Sequence, residues 1–313
     1  MDRRELGRTG LVVSKLGFGA ATLGGEYGPI DEAEGHRSVR AAIDLGINFF
    51  DVAPYYGRTR AETVLGEALD GVRDRVVLAT KVGRYGKADF DFRPATVLSG
   101  LDASLQRLRT DRVDLIYVHD IEFGDLDRII DETLPALERA RAQGKVGAIG
   151  VSGLPLSTLL AAVERGRLDV VLSYCHYTLA DTTFEFGLAP AATARGVGLV
   201  NASPLGMGLL TPAGPPDWHP ALAILKAACR EAAVHCNARG ADLADLGLRF
   251  ALRAPFVAST LVGMSTVAEV ERNVRAASGE IDTELLGEVE SILRPVAGMT
   301  WPSGIAAVPP PAG

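Results

Sequence analysis

The stretch VVLATKV (residues 76–82) is followed by PATVLSGLDASLQRLR (94–109) and then by VDLIYVHD (113–120), and this succession decides the fold class. The first and third segments are nearly continuous runs of apolar residues, which is typical of strands buried on both faces of a parallel sheet. The middle segment carries apolar residues at helical spacing. A strand, a helix and a second strand in this order form the unit from which α/β domains are built.

The same alternation recurs along the whole chain. Candidate strands and helical patterns follow one another at a spacing of roughly 30 residues, the size of one strand–helix–strand unit. A second clear helical pattern is LDRIIDETLPALERARAQG (126–144). The other candidate strands are KLGFGA (15–20), INFFDVA (47–53), VGAIGVSG (146–153), DVVLSYCH (169–176), GLVNASP (198–204) and STLVGM (259–264).

Eight strands with helices between them fit either an open doubly wound sheet or a closed (β/α)8 TIM barrel. A dinucleotide-binding doubly wound domain carries GxGxxG after its first strand, whereas GFGAAT (17–22) lacks the third glycine. No linker or low-complexity segment divides the chain. We therefore predict an α/β protein with a single barrel domain over residues 1–313, an extra C-terminal helix and a disordered tail at 306–313.

Composition limits the partners that the protein can have. The net charge is −7, and no Lys/Arg cluster offers the basic surface that nucleic acid requires. No segment approaches 18 uninterrupted apolar residues, and the start has no apolar signal-peptide region, so no membrane partner is expected. These features predict a cytoplasmic protein, either a monomer or a small homo-oligomer, that acts on a small molecule.

The cysteines indicate reduced thiols and no metal site. Only Cys175, Cys229 and Cys236 occur, without a CxxC spacing. Cys229, His235 and Cys236 share one helical pattern, but no further ligand follows at a spacing typical of zinc. We interpret them as packing residues.

Four ionisable residues fall where a barrel places its active site, at the C-terminal ends of the strands. Asp51, Lys81 and His119 are predicted at the ends of three consecutive strands, and Tyr56 follows in the loop after Asp51. An ammonium near a phenol stabilises the phenolate, so Lys81 is expected to lower the pKa of Tyr56 while Asp51 keeps Lys81 charged. His119 can orient the reacting oxygen. The group therefore suits proton transfer at an oxygen.

Each residue also has a structural interpretation when it is considered alone. Asp51 can cap a helix, Tyr56 can pack with its hydroxyl bonded, and Lys81 can lie on the surface. Lys81 can also form the imine of an aldolase-type barrel. Their joint position on adjacent strands favours the catalytic interpretation.

The chain resembles the aldo-keto reductase superfamily over almost its full length. The segments that carry the resemblance, in the family's order and spacing, are LGRTGLVVSKLGFGA (6–20), INFFDVAPYYG (47–57), LATKVG (78–83) and DLIYVHD (114–120). The resemblance implies a barrel with a catalytic tetrad of Asp51, Tyr56, Lys81 and His119. Within it, Tyr56 is the proton donor or acceptor.

Further segments resemble one branch of that superfamily, the branch of the L-galactose dehydrogenases and aldose 1-dehydrogenases. They are HDIEFG (119–124), SGLPLS (152–157), LSYCHYTL (172–179), NASPLGMGLL (201–210), GPPDWHPA (214–221) and MTWPSGI (299–305). The branch implies oxidation of the anomeric carbon of an aldose, of the L-galactose, L-fucose or D-arabinose type, to its lactone with NAD. The alternatives are a pyridoxal 4-dehydrogenase or a general aldehyde and ketone reductase. A non-catalytic protein like the potassium-channel β-subunits is disfavoured by the match in these loops.

The resemblance also implies contacts for the cofactor and the substrate. The cofactor positions are Ser152, Ser173, Ser203, Leu205, Gly208, Gly263, Ser265, Glu269, Arg272 and Asn273. The carboxylate of Glu269 would repel a 2′-phosphate and so favours NAD, whereas Arg272 keeps NADP as an alternative. The substrate positions are Phe123, Trp218, Trp301 and His176.

Overall fold

An antiparallel hairpin and a closed barrel of eight parallel strands form the sheet structure of this computed structural model, which describes residues 1–304. The hairpin consists of β1 (Arg3–Glu5) and β2 (Val12–Ser14). The barrel strands, in chain order, are β3 (Leu16–Gly19), β4 (Phe49–Asp51), β5 (Val77–Val82), β6 (Val113–Val118), β7 (Val146–Gly153), β8 (Val170–Tyr174), β9 (Gly198–Ala202) and β10 (Ser259–Gly263). All eight predicted strands are confirmed.

The barrel closes where the last strand meets the first. Residue Thr260 of β10 pairs with Leu16 of β3, and Ser259 pairs with Val200 of β9, both in parallel. This closure decides between the two folds that the sequence left open, because a doubly wound sheet keeps two free edges. The fold is a (β/α)8 TIM barrel. The predicted tail at 306–313 lies outside the described residues, so the prediction of one domain over the full chain stays a prediction.

Helices surround the barrel, and two of them are additional to the repeating unit. The helices are α1 (Glu32–Asp44), α2 (Arg60–Ala68), α3 (Pro94–Arg107), α4 (Leu126–Arg128), α5 (Leu134–Ala142), α6 (Leu156–Arg165), α7 (Thr183–Phe186), α8 (Leu188–Ala194), α9 (Ala223–Ala238), α10 (Leu243–Leu252), α11 (Val267–Ser278) and α12 (Thr283–Leu293). A π-helical segment, Ile129–Thr133, joins α4 to α5. Within the described residues, no helix combines the length and the apolar character needed to cross a membrane.

The additional helices α9 and α12 pack on each other through a separate apolar cluster. Cys229 and Cys236 of α9 lie in it with Leu285 and Val289 of α12, and all four side chains are buried. The two cysteines are free thiols, as the sequence predicts. His235 lies at the edge of this cluster and bonds Glu288 through Nε2 at 2.7 Å.

Side chains alternate between two apolar layers along each barrel strand, as the period of two requires. Phe49, Leu115 and Leu172 belong to the layer inside the barrel. Leu6 and Val13, on either side of the hairpin turn, join this inner layer and are fully buried. The hairpin therefore fills one end of the barrel with side chains.

Candidate active site

The predicted tetrad is assembled at the C-terminal ends of the strands. The carboxylate of Asp51, the last residue of β4, forms a buried ion pair with Lys81 of β5. The ammonium of Lys81 also donates to Val52 O at 2.9 Å and lies 4.9 Å from the ring centroid of Tyr56. The Tyr56 ring meets the imidazole of His119 edge to face, with centroids 5.8 Å apart. The four residues line one cavity of ≈ 260 Å³.

A close backbone contact holds Tyr56 in place. Gly57, which follows it, has a left-handed φ of 59°, and a Cβ there would lie 2.3 Å from Gly24 O. Only glycine permits this approach of the β4–α2 loop to the turn after β3. The amide of Gly57 donates to Glu26 Oε1 at 2.8 Å, which ties the same loop to a second residue of that turn. The position of the phenol is thus fixed by the backbone next to it.

Burial determines the protonation of Tyr56 and His119. Burial raises the pKa of the Tyr56 phenol well above its ordinary value, and the charges of Asp51 and Asp120 add to this effect. The predicted net lowering of this pKa is therefore not found in the protein alone, because desolvation dominates and Arg84 is the cation that opposes it. Burial, Lys81 and Arg84 lower the pKa of His119 well below its ordinary value. At neutral pH both groups are uncharged and both can donate a hydrogen bond.

Arg84 and Asp120 form a second charged pair in the wall of the cavity. The guanidinium of Arg84 binds the Asp120 carboxylate and lies 3.8 Å from the ring centroid of Tyr55. Burial raises the pKa of Asp120, and the charge of Arg84 opposes this rise. Arg84 is not among the predicted site residues. The feature of the sequence that could have identified it is its position just past the end of β5, three residues after Lys81.

Ser173, a predicted cofactor residue, does not line the cavity, whereas its neighbour Tyr174 does. Ser152 of β7 and Ser203 line the cavity, but Ser173 of β8 does not. Since side chains alternate along a strand, the inward position of Leu172 directs Tyr174 inward and Ser173 outward. Tyr174 indeed lines the cavity, and the same alternation in the sequence could have identified it.

Trp218 is the one predicted substrate residue that lines the cavity, and its ring lies 6.0 Å from that of Tyr27. The other three have different surroundings. Phe123 stacks on Phe90 with centroids 4.3 Å apart. The ring of Trp301 packs edge-on against His219, at 4.8 Å. The side chain of His176 is buried, with Nδ1 2.9 Å from Asp181 Oδ2 and 3.1 Å from Thr183 Oγ1.

The glutamate Glu122 connects the cavity wall to the end of the described chain. Its Oε1 accepts from Leu154 N at 3.1 Å and from Ser303 Oγ at 2.8 Å. A Cβ at residue 153 would lie 2.5 Å from Glu122 Oε2, which explains the glycine at that position. Burial, followed by the charge of Asp120, raises the pKa of Glu122 to about 7.

The remaining predicted cofactor residues lie in two places: the loop after β9, and the end of β10 together with α11. Leu205 is partly buried against the cluster of α9 and α12, and Gly208 has a left-handed φ of 103°. At the start of α11, Thr266 caps the helix in a capping box with Glu269. Gly263 is exposed and Ser265 is partly buried at that helix start. On α11 itself Arg272 faces Asp245 at 4.0 Å, and Asn273 is buried.

Comparison with known proteins identifies the family. The aldo/keto reductase family profile matches residues 15–294 of the chain. The chain belongs to the aldo/keto reductase family. This confirms the resemblance noted in the sequence, and it makes the protein an oxidoreductase.

Alignments with similar proteins cover most of the length of this reductase. It is 48% identical over 315 residues to L-galactose dehydrogenase from Arabidopsis thaliana, with 97% of this chain and 98% of that protein covered. It is 31% identical over 314 residues to pyridoxal 4-dehydrogenase from Microbacterium luteolum, covering 87% and 92%. A holo-form aldo-keto reductase from Bacillus halodurans superimposes with a TM-score of 0.78 at 29% identity, over 96% of this chain and 98% of that chain.

The residues of this aldo/keto reductase fit a nicotinamide dinucleotide. Ala202, beside Ser203, gives the cavity wall a small side chain at the end of β9. In the following loop Gly206, which is buried, and Gly208, which is partly buried, both have left-handed φ values and leave the backbone without side chains. A Cβ at Gly208 would lie 3.1 Å from Pro215 Cα. Bare backbone of this kind lets amide groups approach a pyrophosphate.

Proposed function

We propose that this reductase is an NAD-dependent aldose 1-dehydrogenase that oxidises the anomeric carbon of an L-galactose-type sugar to its lactone. The observation that carries the proposal is the tetrad, which places a phenol and an imidazole side by side, next to a buried ammonium, in one cavity. The similarity to L-galactose dehydrogenase from Arabidopsis thaliana supports the choice of substrate. Trp218 supports it as well, because an aromatic face in the wall suits the C–H face of a sugar ring.

In the proposed reaction the chain's own residues handle the proton. Bound NAD supplies the hydride acceptor and a positively charged ring. The anomeric hydroxyl hydrogen-bonds to Tyr56 and His119, and its proton passes to the Tyr56 oxygen as the carbon loses its hydride. Before it can accept this proton the phenol must lose its own proton to solvent, and Lys81, which lies 4.9 Å from the phenol ring and is kept charged by Asp51, would favour that loss together with the positive charge of the cofactor. The lactone forms without any bond between substrate and protein.

The helix start of α11 supports NAD over NADP. Glu269 Oε2 accepts from Ser265 N at 2.8 Å and from Thr266 N at 3.0 Å. Glu34 of α1 accepts from Val267 N at 2.8 Å. Two carboxylates therefore occupy the amides that would otherwise bind a 2′-phosphate, and their charge repels one. Arg272, on the same helix, is half exposed and faces Asp245 at 4.0 Å, so its charge is partly offset.

A second function has one observation in its favour. The raised pKa of Tyr56 keeps the phenol protonated, which suits proton donation to a carbonyl oxygen and therefore reduction of an aldehyde. Pyridoxal is included among the test substrates because the chain is similar to pyridoxal 4-dehydrogenase from Microbacterium luteolum. Rates measured in both directions, with NAD and NADP in parallel, decide between these functions. The substrates are L-galactose, L-fucose, D-arabinose and pyridoxal.

The test of the mechanism is Tyr56→Phe, which removes one oxygen and keeps the ring. We expect kcat for L-galactose to fall roughly 10²–10⁴-fold while the Kd for NAD stays within a few-fold. Tyr177→Phe is the matched control, since Tyr177 stacks on Phe250 outside the cavity and should keep its full rate. Full activity of Tyr56→Phe would refute the assignment.

A further inference from the structure

Asp120 has an unusual conformation and an unsatisfied oxygen. It follows His119 directly and has a φ of 52°, a left-handed value that is uncommon for side-chain-bearing residues, although aspartate adopts it more readily than most. The side chain is buried, and among the described residues no group makes a well-formed hydrogen bond to its Oδ1, although the Tyr174 hydroxyl approaches the carboxylate. Strained backbone and an unpaired buried carboxylate oxygen are both unfavourable, and they occur together where function requires them.

The orientation of this carboxylate is fixed by Arg84. The guanidinium binds Asp120 on one side and lies over the ring of Tyr55, 3.8 Å from the ring centroid. Phe90 approaches the same guanidinium at 5.3 Å. Within residues 1–304 the Nε of Arg84 is also buried without a partner. The pair therefore leaves one acceptor and one donor unused, and both residues line the cavity that contains the tetrad.

The distance to His119 limits what the carboxylate can reach. Asp120 Oδ2 lies 3.6 Å from His119 Nε2. In the proposed reaction the anomeric oxygen lies beside that imidazole. The Asp120 carboxylate therefore lies next to the place of the anomeric oxygen, within reach of a substituent on the neighbouring carbon. Neighbouring hydroxyl oxygens on a sugar ring are themselves separated by about a hydrogen-bond length. A hydroxyl can donate to a carboxylate and accept from a guanidinium at the same time, which a carbonyl or a C–H cannot do.

We infer that Asp120 and Arg84 form a recognition site for the C2 hydroxyl of the aldose, so that the enzyme requires a 2-hydroxy aldose as substrate. This inference rests on the proposed function. Asp120 Oδ1 accepts a hydrogen bond from the C2 hydroxyl, and Arg84 holds the carboxylate in place through Oδ2. A 2-deoxy sugar leaves this buried oxygen unpaired, and sites built to bond a hydroxyl discriminate strongly against substrates that lack it.

The experiment compares kcat/KM for L-galactose, 2-deoxy-L-galactose and L-fucose, which is 6-deoxy-L-galactose. For the wild type we expect the 2-deoxy sugar to be poorer than L-galactose by about 10²-fold, the range for loss of a hydrogen bond to a charged group. L-fucose lacks a hydroxyl far from the reacting carbon and serves as the matched control substrate. Its ratio to L-galactose should be the same in the wild type and in every Asp120 variant.

Asp120→Gly tests the residue, because glycine adopts the left-handed φ without strain. We expect this variant to oxidise L-galactose and 2-deoxy-L-galactose at rates within a few-fold of each other. Asp120→Asn, which tolerates the same φ, is the second variant in case the first is poorly folded, and it should lose most of the discrimination. Loss of activity through general damage would lower both rates together and leave their ratio at about 10²-fold.

Two results overturn the inference alone: a wild type that uses both sugars equally, or variants that keep the full discrimination. A wild type that oxidises no aldose at all overturns the proposed function, and the inference with it. These outcomes are distinguished by the rate for L-galactose itself.

Discussion

Strand β5 separates two buried carboxylates that differ in how well they are satisfied. On its outer face Thr80 donates to Glu62 Oε1 at 2.6 Å, and Arg107 donates to Glu62 Oε2 at 2.6 Å. On its inner face the next residue, Lys81, binds Asp51 Oδ1, while Asp51 Oδ2 has no partner among the described residues. Glu62 is fully buried and Asp51 nearly so, so burial does not distinguish them.

The difference separates buried charges that support the fold from those that are free to take part in the proposed reaction. Glu62 has a partner on each oxygen, as buried polar groups that serve structure usually do. The three carboxylates near the cavity, Asp51, Asp120 and Glu122, each keep one buried oxygen without a partner in the described chain. Such atoms cost stability and are available to a ligand or a proton.

The largest expected effect on stability comes from the satisfied carboxylate. Glu62→Ala leaves the half-buried Arg107 without its partner and should lower the free energy of unfolding by about 3–5 kcal/mol. Urea unfolding measures this loss, while kcat for the folded fraction should stay unchanged. The matched control is Glu32→Ala, which removes a surface ion pair with Arg60 and should change stability by less than about 1 kcal/mol. A Glu62 variant as stable as this control would contradict the comparison.

The next effect is a pH dependence of stability at Glu122. Its folded pKa of about 7 lies above the ordinary value of 4.5, so its contribution is fully present below pH 4.5 and is lost as the pH rises through 7. Glu122→Gln cannot ionise. It should match the wild type near pH 4.5 and exceed it by roughly 3 kcal/mol above pH 8, by the conversion of pKa difference into free energy.

Urea unfolding of both proteins across this pH range measures the difference. A constant difference between them at every pH would show that Glu122 has an ordinary pKa. A larger stability of the wild type at high pH would reverse the sign of the prediction.

The smallest effect concerns the space around the unpaired oxygen of Glu122. Gly153→Ala places a Cβ 2.5 Å from Glu122 Oε2 and should cost about 1–3 kcal/mol of unfolding free energy through overpacking. In Glu122→Ala the space is open, so the same change at residue 153 should cost little. The two single variants and the double variant form a cycle that isolates the contact. An equal loss of unfolding free energy from Gly153→Ala in both backgrounds would show that the strain does not come from contact with Glu122.

The barrel could be predicted from the sequence because its strands are buried on both faces. Segments such as VDLIYVHD then consist almost entirely of apolar residues and stand out from the helices between them. The hairpin of β1 and β2 was missed, because each strand has three residues and too few alternations to show a period.

The tetrad was predictable because each member is tied to the end of a barrel strand or the loop that follows it. The protonation of Tyr56 was not, because the sequence shows the neighbouring cation but not the depth of burial that outweighs it. The cavity wall was harder still. Arg84 and Tyr174 lie just past or at a strand end, where a one-residue change in register decides which side chain faces inward.

The hairpin at the other end of the barrel has a consequence for the order of events. Leu6 and Val13 are buried there in the inner layer with Phe49 and Leu115. The hairpin thus packs the N-terminal end of the barrel, while the cavity of the tetrad lies at the opposite end and has neither Leu6 nor Val13 in its lining. Under the proposed function both reactants would share that C-terminal end, and initial-rate kinetics are expected to show an ordered sequence of binding and release.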